Sequence, residues 1–187
     1  MSSVLRDILS GPPEDAAPRL IGAHLVSDIG DKQVRIRLTE VEAYKGSDDP
    51  ASHAYRGETI RNSSMFKDPG TLYVYRSYGI HWCANTAAGP PGVGWGILMR
   101  AGEIIDGKGV VIGRRGRRDS LTDGPGKLTQ ALGIIGDHNG LDLLDPASVV
   151  RLEPGAAPAG LVMATPRVGI SRAKDIPWRF VEATSVG

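Results

Sequence analysis

The feature that most constrains the fold is an alternation of side chains in residues 34–38, VRIRL. Val34, Ile36 and Leu38 are apolar, and arginines stand between them. A period of two predicts a β-strand with one face on a core, because successive side chains point to opposite faces. The residues upstream, AHLVSDIGDKQ, predict a partner strand and a turn over residues 29–32. The chain therefore begins its sheet here.

The continuation of this strand, TEVEAY, admits two arrangements. If the alternation is unbroken, Glu40, Glu42 and Tyr44 follow on the core face, where the pattern requires apolar groups. A bulge near Thr39 would instead return the valine and the alanine between them to the core. The sequence leaves both open, and in either case charge and core meet at this point.

Turn-forming residues are abundant along the whole chain. The 25 glycines and 13 prolines exceed average usage and predict a loop-rich α+β or β-rich fold. With 187 residues, 41% of them hydrophobic, the chain fits one globular domain over residues 1–187. Short helices are predicted over residues 4–10, 14–22 and 126–134, a long irregular segment over 45–69, and further strands over 71–77, 80–86, 96–105, 148–154 and 161–170.

Charge and cysteine content restrict the classes of function. A formal charge of +1 and a pI near 7.9 exclude a strongly basic protein, so any nucleic-acid contact must depend on a local patch. The single cysteine, Cys83, excludes internal disulfides and multi-cysteine metal sites and favours the cytoplasm. The four histidines are scattered, so no metal site is predicted. The first 20 residues lack the apolar core of a signal peptide, and no run suits a membrane span.

Tyrosines crowd into the segment GTLYVYRSYGIHW, residues 70–82. Tyr73, Tyr75 and Tyr78 are three of the five tyrosines of the chain. Tyr78 and Gly79 are predicted at a hairpin tip, since glycine accepts the positive φ of such turns, and the other two tyrosines share a strand face. Stacking a nucleobase on an aromatic ring contributes ~1–3 kcal/mol. Two rings could hold a base removed from a duplex, and the tip residue could fill the gap left behind. Ordinary sheet aromatics are the alternative.

The order of the motifs settles which family the chain resembles. EVEAYKGSDDPASHAYRG, RNSSMF, PGTLYVYRSYGIHWCAN, ILMRAGE, GPGKLTQALGI and PRVGI occur in that order over residues 40–170. Together they closely resemble the alkyladenine (3-methyladenine) DNA glycosylase family. The chain departs from the family at Ile60, where proline is commoner, and in the glycine-rich GPPGVGWG.

The resemblance implies a single α+β domain with a mostly antiparallel curved sheet, peripheral helices and a protruding hairpin that enters DNA. It implies a monofunctional hydrolase that flips alkylated or deaminated purines from duplex DNA and cleaves the N-glycosidic bond without metal or cofactor. Its partner is expected to be double-stranded DNA with a damaged purine, and it is expected to act as a monomer in the cytoplasm, associated with the nucleoid if the protein is bacterial. No lysine is among the residues that the resemblance assigns to catalysis or to the base pocket, so no Schiff base is expected.

The same resemblance assigns roles to individual residues. Glu42 resembles the general base that activates water against C1′, and Arg100 its partner. The base pocket is expected to comprise Tyr44, His53, Tyr75 and Asn85, with Tyr78 inserted into the DNA stack.

Basic residues outside these motifs are candidates for phosphate contacts, although such runs are usually solvated surface. They are Arg114, Arg115, Arg117, Arg118, Lys127 and Arg167.

Two other classes of function stay open at the level of sequence. A nucleoside or glycoside hydrolase could pair Glu40 with Glu42, with Asp48 and Asp49 near a calcium ion. A non-catalytic nucleic-acid-binding module would keep the tyrosines and be indifferent to Glu42→Gln.

Overall fold

An antiparallel sheet of eight strands organises the chain, and the computed structural model describes it over residues 2–183. Within those residues four α-helices accompany the sheet: α1 (Ser2–Leu9), α2 (Pro13–Ala16), α3 (Lys108–Arg115) and α4 (Pro125–Leu132). The strands are β1 (His24–Ser27), β2 (Val34–Lys45), β3 (Leu72–Ser77), β4 (His81–Ala88), β5 (Trp95–Asp106), β6 (Val150–Glu153), β7 (Val162–Thr165) and β8 (Arg179–Glu182).

The strand order is β3-β4-β5-β2-β1-β6, and every pairing is antiparallel. The long strand β2 is central, because β5 lies along one edge and the other edge is divided between β1 and β8. The predicted α+β class with a mostly antiparallel curved sheet and peripheral helices is confirmed. Entry of the hairpin into DNA stays a prediction.

A bulge in β2 decides between the two arrangements that the sequence left open. The pairing of β2 with β5 shifts between Leu38 and Glu40. Val41 and Ala43 are fully buried and join the same core as the residues before the bulge. One extra residue inverts the alternation that follows. Glu42 therefore lies on the face opposite the core, so the bulge is what turns this carboxylate away from the core.

The main core lies between the sheet and the helices. Leu5 and Leu9 of α1 and Leu128 and Leu132 of α4 are buried against the sheet in one apolar cluster. Helix α4 packs on β4 and β5. The other face of these strands is thereby left for the irregular residues 45–69, whose Ala54 packs with Met65 and Tyr73 in a second, smaller cluster.

The helices predicted over residues 4–10 and 126–134 overlap α1 and α4, whereas other elements differ from the prediction. The predicted helix over 14–22 is split into α2 and a 3₁₀ helix, Ala17–Leu20, because Pro18 has no N–H to continue an α-helical ladder. Helix α3 and strand β8 were not predicted. Within residues 2–183, no helix has the length and apolarity needed to cross a bilayer.

Candidate active site

A cavity of about 550 Å³ opens on the sheet face opposite the helices. The register of the strands aligns the residues beneath it: Tyr73 pairs with Asn85, Asn85 with Leu98, and Leu98 with Glu42. The first three line the cavity, and Glu42 continues the row behind its wall. Six of the residues predicted for the site line this cavity: Tyr44, His53, Tyr75, Tyr78, Asn85 and Arg100. Their sequence positions span 57 residues, and the sheet brings them together.

Glu42 lies behind the cavity wall and has no exposed surface. Its Oε2 accepts a hydrogen bond from the hydroxyl of Tyr44 at 2.8 Å, and its Oε1 accepts one from the amide of Val168 at 2.8 Å. The Nη1 atom of Arg100 lies 3.3 Å from Oε2. A buried carboxylate needs such partners because desolvation penalises an unpaired charge.

Arg100 connects two carboxylates. Besides its contact with Glu42, it donates from Nε to Oε1 of Glu40 at 2.6 Å. Burial acts to lower the pKa of Arg100, but Glu42 and Glu40 outweigh it, so the pKa is raised and the guanidinium stays charged. The predicted partnership of Arg100 and Glu42 is therefore geometrically present.

Aromatic rings form one wall of the cavity. The rings of Tyr73 and Tyr75 stack at 5.5 Å with an interplanar angle of 25°, and His53 packs edge-on against Tyr75 at 4.4 Å. Burial raises the pKa of Tyr73 to about 12 and also raises the pKa of Tyr75, so both phenols are neutral at physiological pH. Burial, with the positive charge of Arg61, lowers the pKa of His53. The wall is therefore uncharged at neutral pH.

Asn85 is buried at the floor of the cavity. Its Nδ2 donates to the carbonyl of Tyr73 at 3.2 Å, the kind of local backbone contact that asparagines often make. That bond fixes the amide plane while the side chain still borders the cavity. The main-chain carbonyl of His53 is likewise held, by Nδ2 of Asn62 at 3.0 Å.

Tyr78 stands at the tip of the β3–β4 hairpin, as predicted. Its φ is 50° and that of Gly79 is 69°, and the amide of Ile80 bonds to the carbonyl of Ser77. Two successive positive φ values are typical of a type I′ hairpin turn. The Tyr78 side chain is 88% exposed beside the cavity mouth. A large aromatic group thus projects into solvent next to the pocket.

Arg167 is not where a phosphate could reach it, which corrects the prediction for this residue. Its side chain and that of Asp49 are both fully buried in an ion pair, with Nη2 2.9 Å from Oδ1. The guanidinium also donates to the carbonyl of Ala43 and lies over the Tyr44 ring at 4.7 Å. Arg167 therefore fixes the pocket wall from behind.

The remaining predicted phosphate contacts lie away from the cavity lining. Arg114 donates hydrogen bonds to the carbonyls of Ala131 and Ile29, and Arg115 donates one to Gln130. Lys127 donates to Ser120 and pairs with Asp123. Arg117 pairs with Asp119, and Arg118 is exposed. Their contact with DNA stays a prediction.

Three exposed arginines at the cavity mouth were missed by the sequence reasoning. Arg61, Arg76 and Arg172 all line the cavity. Arg61 donates to the carbonyl of Arg76 at 3.1 Å, and Arg76 lies over the Trp82 ring. Arg61 lies in RNSSMF and Arg76 in the tyrosine hairpin, so their proximity to the matched motifs was the available signal.

The calcium site of the alternative hydrolase has no support here. Asp49 is paired with Arg167 and also accepts hydrogen bonds from the amides of Lys45 and Ala51. Across residues 2–183, no group of three or more histidine, cysteine or acidic side chains is arranged to hold a metal ion.

The fold and the site define an α+β protein whose sheet carries an aromatic-walled pocket with an arginine rim, suited to a flat heterocycle attached to an anionic chain. The sequence profile of the family described as Methylpurine-DNA glycosylase matches residues 7–186. The chain belongs to this family, which implies a hydrolase that acts on N-glycosidic bonds in DNA.

Three relatives are similar to the chain over most of their length. A protein of Nocardia farcinica (strain IFM 10152) is 50% identical over 177 residues, covering 90% of this chain and 82% of the relative. One of Rhodococcus jostii (strain RHA1) is 49% identical, covering 90% of this chain and 76% of the relative. One of Frankia casuarinae is 42% identical, covering 93% and 86%. Each is named "Putative 3-methyladenine DNA glycosylase".

Proposed function

We propose that this protein is a monofunctional DNA glycosylase of base excision repair. It rotates an alkylated or deaminated purine out of duplex DNA into the cavity and hydrolyses the N-glycosidic bond with a water activated by Glu42. The product is an abasic site. The enzyme acts as a monomer in the cytoplasm, on the nucleoid in a bacterium, and needs no cofactor.

The observation that carries this proposal is the hydrogen bond from Tyr44 to Glu42. The Tyr44 ring lines the cavity while its hydroxyl holds the carboxylate immediately behind it. A base lodged against the ring would therefore place its sugar near the only buried carboxylate of the matched EVEAY motif. This is the juxtaposition that a glycosylase requires.

The chemistry follows from charge. Departure of a purine leaves positive charge on the deoxyribose, which a nearby carboxylate stabilises while it takes a proton from water. General-base assistance of this kind contributes ~10²–10⁴-fold. A carboxylate offers about four acceptor positions. Tyr44 and Val168 donate hydrogen bonds to Glu42, and Nη1 of Arg100 lies 3.3 Å from its Oε2, so an acceptor position on Oε1 would serve the water once it enters beside this buried carboxylate.

Lesion charge decides how much help the leaving group needs. A base such as 3-methyladenine already carries positive charge, which favours both its departure and its stacking against neutral tyrosine rings. Tyr75 supplies such a ring, and His53 packs edge-on against it. Deaminated and other neutral purines depend more on Glu42. Tyr78 would fill the vacated position in the stack, and the rim arginines would hold the flanking phosphates.

The test uses duplexes that carry one hypoxanthine, ethenoadenine or 3-methyladenine, incubated with wild type or Glu42→Gln, with and without EDTA. Alkali then converts abasic sites into strand breaks. We expect breaks that require Glu42 and survive EDTA. Breaks that EDTA abolishes would indicate a metal-dependent hydrolase, and binding without breaks in either protein would indicate a non-catalytic module. A covalent adduct trapped by borohydride would contradict the monofunctional mechanism.

A further inference from the structure

Four charged side chains of alternating sign form a continuous row that ends at Glu42. Oε1 of Glu40 accepts hydrogen bonds from Nε of Arg179 at 2.7 Å and from Nε of Arg100 at 2.6 Å. Nη1 of Arg100 then lies 3.3 Å from Glu42. The row joins β8, β2 and β5, and its two positive and two negative charges cancel.

The bulge in β2 makes this row possible. After the register shift, Glu40 lies opposite Val181 of β8 on one side and Ala101 of β5 on the other, so an arginine approaches it from each neighbouring strand. Glu40 does not line the cavity. Its side chain is 16% exposed, and that of Arg100 is 12% exposed, so solvent screens their attraction only partly.

The hydrogen bond from Arg100 to Glu40 restricts how Arg100 can contact Glu42. An arginine side chain that faces one carboxylate alone tends to bind it through two parallel hydrogen bonds. With Nε held by Glu40, Arg100 approaches Glu42 through Nη1, which lies 3.3 Å from Oε2. Glu42 thereby keeps an acceptor position free for water, and it shares the positive charge of Arg100 with Glu40.

We propose that Glu40 and Arg179 are positioning residues that set the orientation of Arg100 and so preserve Glu42 as a base. Their part in excision rests on the proposed glycosylase function, whereas the geometry of Arg100 can be tested without substrate. Hydrogen bonds from Arg179 and Arg100 outweigh burial and lower the pKa of Glu40, so Glu40 is ionised at neutral pH.

The two single substitutions have opposite electrostatic effects on Glu42. Glu40→Gln removes the carboxylate that holds Arg100 and Arg179, which leaves an excess positive charge beside Glu42 and releases Arg100 to bind Glu42 through two bonds. Arg179→Gln leaves an excess negative charge and acts in the other direction. The double variant restores neutrality. The other charged or titratable groups near Glu42 or Arg100 are unchanged in all of these variants; they are Tyr44 on β2, Tyr75 on β3, Cys83 on β4 and Arg167 after β7.

The experiment measures single-turnover excision of hypoxanthine from duplex DNA as a function of pH, with saturating protein. We expect Glu40→Gln to lower the maximal rate about tenfold and to move the acidic limb of the profile to lower pH, because a negative charge beside the arginines is lost. Arg179→Gln should move the limb to higher pH, and the double variant should return it toward the wild-type position. Glu103→Gln, the same change at an exposed glutamate of β5, should leave rate and profile unchanged.

A second measurement uses the free protein. The Nε–H signal of Arg100, assigned by its loss in Arg100→Lys, should exchange with solvent at least several-fold faster in Glu40→Gln and at the wild-type rate in Glu103→Gln. If wild type excises no lesion, the proposed function fails, but this exchange still tests the orientation of Arg100. Unchanged exchange in Glu40→Gln, or a fall in rate in both single variants without opposite displacement of the acidic limb, would overturn the proposal.

Discussion

The hydroxyl of Tyr44 and Oε2 of Glu42 are joined by a 2.8 Å hydrogen bond between residues two positions apart on one strand. The spacing matters because residues i and i+2 of a strand share a face. Burial and the negative charge of Glu42 raise the pKa of Tyr44, so the phenol remains a proton donor well into the alkaline range. The Tyr44 side chain therefore connects the cavity lining directly to the carboxylate of Glu42.

Tyr44→Phe should keep the ring and remove only this donor. A hydrogen bond to a charged group contributes ~1.5–3 kcal/mol, so we expect the single-turnover excision rate to fall roughly 10- to 100-fold. Lesion binding should change little, because the ring that lines the cavity and lies against Arg167 is retained. Tyr55→Phe, at an exposed tyrosine, is the matched control. An unchanged excision rate in Tyr44→Phe would show that Glu42 does not depend on this bond.

Local chemistry made part of the site predictable. The hairpin tip at Tyr78 and Gly79 follows from turn preferences, and the shared face of Tyr73 and Tyr75 follows from strand periodicity. The roles of Glu42 and its partners came from the family resemblance and remain predictions. At Glu42, sequence periodicity alone allowed either of the two strand faces.

The parts that escaped prediction depend on residues distant in sequence. The sequence offered a bulge near Thr39 as one of two arrangements, and the pairing of β2 with β5 decides for it, while β8 was not recognised at all. The burial of Arg167 depends on Asp49, 118 positions away, so in the sequence it resembles any surface arginine. No local pattern carries information about such tertiary partners.

The arginines at the cavity mouth should dominate the salt dependence of DNA binding. Each phosphate contact contributes about 0.9 to the slope of log affinity against log salt concentration. We expect Arg172→Gln, at an exposed position of the cavity lining, to reduce the slope by about that amount. Arg117→Gln, whose guanidinium already pairs with Asp119, should reduce it less. Fluorescence anisotropy over a salt series measures the slope for each variant. A larger loss of slope in Arg117→Gln than in Arg172→Gln would indicate that DNA phosphates contact the segment around Arg117 instead.

The pH dependence of lesion preference should report on His53. Because burial and Arg61 lower its pKa, the imidazole gains its proton only below the ordinary value of 6.5. Above that pH the ring is neutral and accommodates a cationic base. At lower pH the imidazolium repels it, so the excision-rate ratio of 3-methyladenine to hypoxanthine should fall. The ratio should stay flat in His53→Gln, with enzyme-free duplexes correcting for spontaneous loss. A ratio that declines equally in both proteins would exclude His53 as the cause.

Tyr78 should show a conflict between stability and function. A tyrosine with φ of 50° sits in the left-handed region, which asparagine tolerates far better, and Asn-Gly is the preferred pair for such a turn. Tyr78→Asn should therefore raise the free energy of unfolding by roughly 0.5–1 kcal/mol.

The same substitution removes the group proposed to replace the flipped base in the stack. Excision from a fully paired duplex should fall about tenfold or more, since unstacking a base costs a few kcal/mol that Tyr78 would offset. Excision from single-stranded DNA, where less stacking is lost, should fall much less. Urea denaturation and the two excision assays separate these effects. A variant that is less stable, or that loses both activities equally, would mean that the tip tyrosine serves the hairpin and not the DNA.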